Sequence, residues 1–158
     1  ADTGQATMTG GRIHKIKKYV EGEPFFCTYG DGVADVNISE LLNFHKSHGK
    51  FATLTTVRPT SRFGVIDINS DNSVDHFREK PQADGWINAG YFVFQPEIFD
   101  FLNENSVLEE EPLANLASSG SLFAFQHKGF WQPMDTYREA TMLNKMWDDG
   151  KAPWKVWN

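Results

Sequence analysis

The chain carries one cysteine, Cys27, in 158 residues. No disulfide can close within it, and a reducing compartment is the expectation. Cys27 reads as a small buried strand residue. Positive charge is also scarce: 15 Lys and Arg against 21 Asp and Glu leave a net charge of −6. That balance argues against nucleic acid as a partner, which needs a basic face. It leaves room for phosphate ligands, which answer to local arginines and lysines. No apolar run approaches the length of a membrane span, and no signal-peptide pattern opens the chain. A cytoplasmic protein with no membrane partner is expected. Repeats and low-complexity tracts are absent. The five histidines show no Cys/His zinc spacing, and no serine or cysteine nucleophile motif occurs.

What is present suits one folded unit with a real core. The 40% hydrophobic and 23% charged fractions are ordinary for a globular chain. Tryptophan is the exception, because Trp147, Trp154 and Trp157 crowd the end of the chain. Ala152-Pro153-Trp154-Lys155-Val156-Trp157 is too apolar for a free tail. It predicts docking on its own domain or, alternatively, a subunit interface in a homo-oligomer.

Apolar spacing predicts a helix over 9–20, with Ile13, Ile16, Tyr19 and Val20 on one face. A second helix starts after Asn37, which can cap it, with Glu40 in the capping-box position. Ile38, Leu41, Leu42 and His45 form its inner stripe, and Gly49 ends it. Strands are predicted over 25–29, 51–57, 87–94 and 122–126. Val65 to Ile68 alternates and should pair with Val74 to Phe77 across Asn69-Ser70-Asp71-Asn72. Short helices are expected over 97–102 and 112–117, and a longer one over 136–146 with Thr136 and Glu139 at capping-box spacing. Interleaved strands and helices with one antiparallel patch predict an α/β fold with a sheet of mixed direction.

Two acids stand out. Asp31 follows the strand Phe25-Phe26-Cys27-Thr28-Tyr29 and sits between Gly30 and Gly32. Glycine on both sides lets the chain turn and a ligand come close, and strand ends are where open α/β sheets bind ligands. Asp-Gly is also an ordinary turn pair. Asp135, in Gly129-Phe130-Trp131-Gln132-Pro133-Met134-Asp135-Thr136, precedes a helix and could simply satisfy its open amides. Together the pair could hold one divalent metal against a phosphate, since Mg²⁺ needs only one or two carboxylates beside phosphate oxygens and water. Thr7 with Thr9-Gly10-Gly11-Arg12 could offer open amides and a guanidinium to an anion, or form a plain glycine-rich loop. Glu79-Lys80-Pro81 ends a strand; the carboxylate suits sugar hydroxyls and the ammonium a phosphate, or the two are a solvated pair. Gly64 and, in Asn88-Ala89-Gly90, Gly90 are places for a ligand to approach the backbone, or bulges.

Taken in order, Met8-Thr9-Gly10-Gly11-Arg12, Thr28-Tyr29-Gly30-Asp31-Gly32-Val33-Ala34-Asp35, Arg62-Phe63-Gly64, Glu79-Lys80-Pro81, Ile87-Asn88-Ala89-Gly90-Tyr91-Phe92 and Gly129 to Thr136 resemble the sugar-1-phosphate nucleotidyltransferases. The nearest likeness is to their cytidylyltransferase branch. The resemblance implies a Rossmann-like nucleotidyltransferase fold, with Mg²⁺ on Asp31 and Asp135. It also implies nucleotide contacts from Thr7, Arg12 and Gly30, and sugar-phosphate contacts from Glu79 and Lys80 with Gly64, Asn88 and Gly90 nearby. Arg12, Asp31 and Asp135 would then carry the catalysis. The implied substrates are CTP and glucose 1-phosphate, the implied products CDP-glucose and pyrophosphate, and the implied route bacterial surface polysaccharide. The family's opening Gly-Gly-x-Gly-Thr-Arg loop and following Lys-Pro do not occur here. Residues 1–158 therefore match the C-terminal portion of one nucleotidyltransferase domain, expected to be inactive alone. Two other functions stay open: a non-catalytic sugar-phosphate binding or assembly module, and a metal-dependent glycosyltransferase.

Overall fold

A computed structural model describes residues 1–20 and 22–157. The elements in chain order are α1 (Thr9–Lys15), α2 (Lys17–Val20), β1 (Phe25–Thr28), β2 (Gly32–Ala34), α3 (Ile38–His48), β3 (Ala52–Val57), β4 (Val65–Ile68), β5 (Val74–Arg78), β6 (Ile87–Phe94), a 3₁₀ turn (Pro96–Phe101), α4 (Glu111–Ser118), β7 (Leu122–Gln126), β8 (Trp131–Pro133) and α5 (Tyr137–Asp148). The main sheet runs β1-β6-β3-β7. β1 and β3 flank β6 antiparallel, and β7 adds to β3 in parallel. The α/β fold with a mixed sheet is as the sequence indicates.

β6 organises the core because a strand turns successive side chains to opposite faces. Phe92 and Phe94 enter the larger cluster, with Ile13, Ile98, Leu108 and Leu116. Val93 points the other way, to Leu41 and Val36 beneath α3. All three β6 residues are fully buried, and each large side chain so buried is worth about 1.5–3 kcal/mol. α3 is built as its sequence says. The Asn37 side chain accepts from the Ser39 and Glu40 amides, and Gly49 closes it in the left-handed conformation at φ 61°. Leu41 and His45 are fully buried. Ile38, however, lies 47% exposed, so it belongs to the rim of the helix and not to its inner stripe.

The expected helix over 9–20 is two helices. The chain leaves helical geometry at Ile16 (φ −92°, ψ 3°), which caps α1 by donating to the Ile13 carbonyl. Only Ile13 of the expected face is buried, and Tyr19 is 64% exposed. The hairpin β4–β5 pairs as expected but stands off the sheet: all of β5 is exposed, and Ile68 and Phe77 are 65% and 60% exposed. Cys27 is a strand residue, half-buried. Burial, and then the nearby Glu109 charge, push its thiol up to about 11, which leaves it protonated and unreactive. The tryptophan-rich end docks on its own chain. Trp154 stacks on Phe130 at 5.5 Å, and Trp157 packs on Trp147 at 6.3 Å.

Candidate active site

The short ribbon β2–β8 is the element that no periodicity announces. It aligns Gly32 with Pro133, Val33 with Gln132 and Ala34 with Trp131. The Met134 amide donates to the Asp31 carbonyl at 2.6 Å, and the Asp35 amide to that of Phe130 at 3.1 Å. An antiparallel pair brings the start of one strand to the end of the other, so Asp31, just before β2, meets Asp135, just after β8. Both aspartates line one cavity of about 190 Å³ with Asn88, Tyr91 and Trp131. Two hydrogen bonds clamp the ribbon to the sheet: Tyr91 Oη donates to the Gly32 carbonyl at 3.0 Å, and Trp131 Nε1 to that of Ala89 at 2.9 Å.

Asp135 is oriented from below by α5. Thr136 caps that helix in a complete capping box with Glu139. The Glu139 carboxylate accepts from the Asp135 and Thr136 amides at 3.1 and 2.9 Å and from Arg62 at 2.7 Å. Burial alone would raise the Glu139 carboxyl; the Thr136 hydrogen bonds and the Arg62 charge outweigh it and hold the group below its ordinary range. Arg62 also comes within 3.8 Å of Asp135 Oδ2.

The donor set fits a hard cation. Two exposed aspartates line one cavity, and, apart from its own chain neighbours Tyr29 and Asp31, nothing lies within 4 Å of where a Cβ on Gly30 would stand. That leaves room for the phosphate and water oxygens that complete a Mg²⁺ shell. Among the described residues no three His, Cys, Asp or Glu gather as a self-sufficient metal cage, so such an ion would depend on a phosphate ligand.

The remaining expected residues fall into two groups. Asn88 lines the acids' cavity; its carbonyl accepts the Gly90 amide at 2.7 Å, and its amide donates to Tyr29 Oη at 3.2 Å. Gly90 sits in a bulge of β6 at φ 78°, and a Cβ there would stand 2.5 Å from the Tyr29 ring. The close approach at Gly90 is therefore that of Tyr29, the bulge reading of this glycine. Gly64 abuts Phe77 and Glu79, leaving 3.2 Å between a would-be Cβ and Glu79 Oε2. Glu79 and Lys80 lie outside the cavity as an exposed pair, 3.6 Å apart. Lys80 holds a left-handed φ of 46° directly before Pro81, a conformation that both its side chain and the proline disfavour.

Thr7 and Arg12 are elsewhere. Thr7 borders a separate cavity of about 440 Å³ with Lys15, and its hydroxyl donates to the Thr3 carbonyl at 2.5 Å. Arg12 donates to Thr3 Oγ1 at 2.8 Å and to the Gln5 carbonyl at 3.1 Å. The Gly10-Gly11 amides are not an open nest. Both glycines lie buried inside α1, and the Gly11 amide donates to the Ser106 carbonyl at 2.9 Å. A Cβ at Gly10 would stand 2.8 Å from that of Ser106, so close helix-to-turn packing explains the pair.

Sequence reasoning passed over Glu109, Tyr29, Tyr91 and Trp131. Glu109 takes the Thr9 hydroxyl at 2.6 Å on one oxygen and Tyr29 Oη on the other, joining the start of α1 to the acid-bearing strand end. Burial first, and then the Glu109 hydrogen bond and charge, raise the Tyr29 hydroxyl well above its ordinary range. A signal for Tyr29 was present, since an aromatic residue sits directly before the Gly-Asp-Gly turn. Glu109 had none in its acidic run Glu109-Glu110-Glu111.

The nucleotidyl transferase family model matches residues 5–149. The chain is 51% identical over 99% of its length to a glucose-1-phosphate cytidylyltransferase of Salmonella typhimurium, and 43% identical over 99% to a probable one of Bacillus subtilis. It spans 62% of the length of each. Among solved structures, HddC from Yersinia pseudotuberculosis superposes with a TM-score of 0.68 at 22% identity, over 91% of this chain and 64% of that one. A putative glucose-1-phosphate thymidylyltransferase from Bacillus anthracis reaches 0.66 at 14% identity, over 98% and 64%. These two likenesses establish the fold, and the family match over nearly the whole chain makes the wider assignment: the chain belongs to the nucleotidyl transferase family.

Proposed function

We propose that this chain carries the metal-binding and sugar-phosphate half of an enzyme that transfers a cytidylyl group from CTP to glucose 1-phosphate, giving CDP-glucose and pyrophosphate. The observation that supports it most is the meeting of Asp31 and Asp135 in one cavity at the end of the sheet. The 51% identity to the Salmonella typhimurium relative supports the choice of base and sugar.

In the reaction a phosphate oxygen of glucose 1-phosphate attacks the α-phosphorus of CTP. The bond to the β-phosphate oxygen breaks, and pyrophosphate leaves with its electron pair. No protein nucleophile is needed, so the work is positioning and charge neutralisation. Asp31 and Asp135 would hold Mg²⁺, which supplies positive charge to the α-phosphate oxygens when bound. Arg62, joined to Asp135 and Glu139, fixes the Asp135 loop. Glu79 accepts from sugar hydroxyls and Lys80 meets the sugar phosphate. Thr7, Arg12 and Gly30 serve the nucleotide, with Arg12 swinging from its present partners Thr3 and Gln5. The protein works in the cytoplasm and as a homo-oligomer; the exposed apolar faces of β4–β5 and of Val156, 82% exposed, support the association.

The test is a chimera in which these residues replace the matching part of the Salmonella typhimurium relative. Pyrophosphate release should need CTP, glucose 1-phosphate and Mg²⁺ together, and Asp31→Asn should abolish it. Release unaffected by Asp31→Asn would refute the assignment, and glucose 1-phosphate binding without turnover would point to a binding module instead.

A further inference from the structure

A second cavity, of about 600 Å³, shares only Trp131 with that of the two acids. Both of its walls are held by backbone hydrogen bonds. The first is the run after β3, tied to the segment between β5 and β6 by Ser61 N to the Pro81 carbonyl at 2.8 Å and Ala83 N to that of Pro59 at 2.9 Å. The second is the turn between β7 and β8, tied down by His127 N to the Thr56 carbonyl at 2.9 Å. A cavity this size, with walls already formed, is the ordinary form of a small-molecule site.

In a chain of net charge −6, Arg58, His127 and Lys128 line this cavity and no Asp or Glu does. Arg58 is steadied by donating from Nε to the Ala83 carbonyl at 2.7 Å, with exposed Asp84 at 3.8 Å from Nη2. His127 lies with Nε2 2.9 Å from Asp35 Oδ1. Lys128 is exposed and has no ion pair among the described residues. Trp86 and Trp131 add two indole faces, and the second is locked by its hydrogen bond to Ala89. Cations beside flat aromatic walls suit an anion that also carries a ring.

We propose that this cavity is a second ligand site, for a phosphate ester bearing a sugar or nucleobase ring, with Arg58 and Lys128 on the phosphate and Trp86 and Trp131 on the ring. With no carboxylate in the lining, binding there calls for no metal. The site therefore stands or falls independently of cytidylyl transfer.

Intrinsic tryptophan fluorescence of the chain, titrated in EDTA, reads occupancy directly. The probes are cytidine monophosphate, glucose 6-phosphate and inorganic phosphate. At least one ester should quench saturably and bind at least about tenfold tighter than phosphate. The tighter ester identifies the ring as base or sugar. Lys128→Met and Arg58→Met should each weaken that binding about tenfold or more, while Asp31→Asn leaves it unchanged. The exposed Lys128 side chain makes no hydrogen bond or ion pair among the described residues, so its variant keeps the test valid if Arg58→Met fails to fold. The proposal is overturned if neither ester binds, if phosphate binds as well as both, if Lys128→Met binds like the parent, or if Asp31→Asn weakens binding equally.

Discussion

The centre of the main sheet and the β2–β8 ribbon are neighbours, yet they are held together by different forces. At the centre, Phe92, Val93 and Phe94 are fully buried, and the one fully buried titratable group among the described residues is fully engaged. His45 bonds Thr53 Oγ1 at 2.8 Å through Nδ1 and meets the Gln95 amide at 3.0 Å through Nε2. The ribbon has three residues per strand, all half-buried, and the aspartates at its end are exposed. Apolar area stabilises the centre, which is non-directional and tolerates no charge. Directional hydrogen bonds from Tyr91 and Trp131 fix the ribbon, so it can hold two like charges in contact with water. Stability and candidate chemistry are thereby assigned to adjoining parts of the fold, joined by the Tyr91 and Trp131 hydrogen bonds.

Four measurements sharpen or break that separation. Phe92→Ala should cost the most, about 3–5 kcal/mol by denaturant unfolding, because the stacked and edge-on rings of Phe94 and Tyr29 lose their partner. A cost below about 1 kcal/mol would mean the centre is not the core. Asp31→Asn should do the opposite. In the chimera, pyrophosphate release should drop at least about a hundredfold, near 3 kcal/mol of barrier, with unfolding unchanged within about 0.5 kcal/mol. Equal losses in both readouts would erase the distinction between the two regions.

Acid should strike the centre. Burial first, and then the proximity of His48, lower His45 from 6.5 to about 4. Between these two values the unfolded chain binds a proton that the folded chain refuses. Stability from this group is thus complete above about pH 6.5 and is lost as pH falls toward 4, by up to about 3 kcal/mol. His48 shifts in the same direction, through burial and the Lys50 charge. Unfolding midpoints that stay flat from pH 7 to 4.5 would contradict this. The smallest effect belongs to Thr136→Ala, which removes the α5 cap for about 1 kcal/mol while loosening Asp135 through Glu139. Its effect on pyrophosphate release in the chimera should exceed its effect on stability.

Legibility followed the range of the interactions. β6 spans 87–94 as its apolar run indicates, and the caps at Asn37 and Thr136 work as their spacing says, because these depend on residues a few positions apart. Ile38 and the broken helix at Ile16 were misread because a periodic face says which residues share a side, not whether anything packs there. The Gly10-Gly11 pair was misread for a related reason: its partner, the turn at Ser106, is remote in sequence. Thr7 and Arg12 fit an anion site by residue type, yet they point to the segment from Thr3 to Gln5.

From the residues alone came the class of fold, the strands of the main sheet and of the β4–β5 hairpin, the caps, and two aspartates of the right kind beside glycines and a helix start. All of these follow from side-chain alternation, helical period and local hydrogen bonding. Only the tertiary structure decided that the aspartates share a cavity, that Tyr29 fills the space at Gly90, and that Arg58 and Lys128 border a second chamber behind Trp131. Those outcomes rest on a three-residue ladder and single hydrogen bonds between distant segments, and no local pattern encodes which distant backbone a given amide will meet.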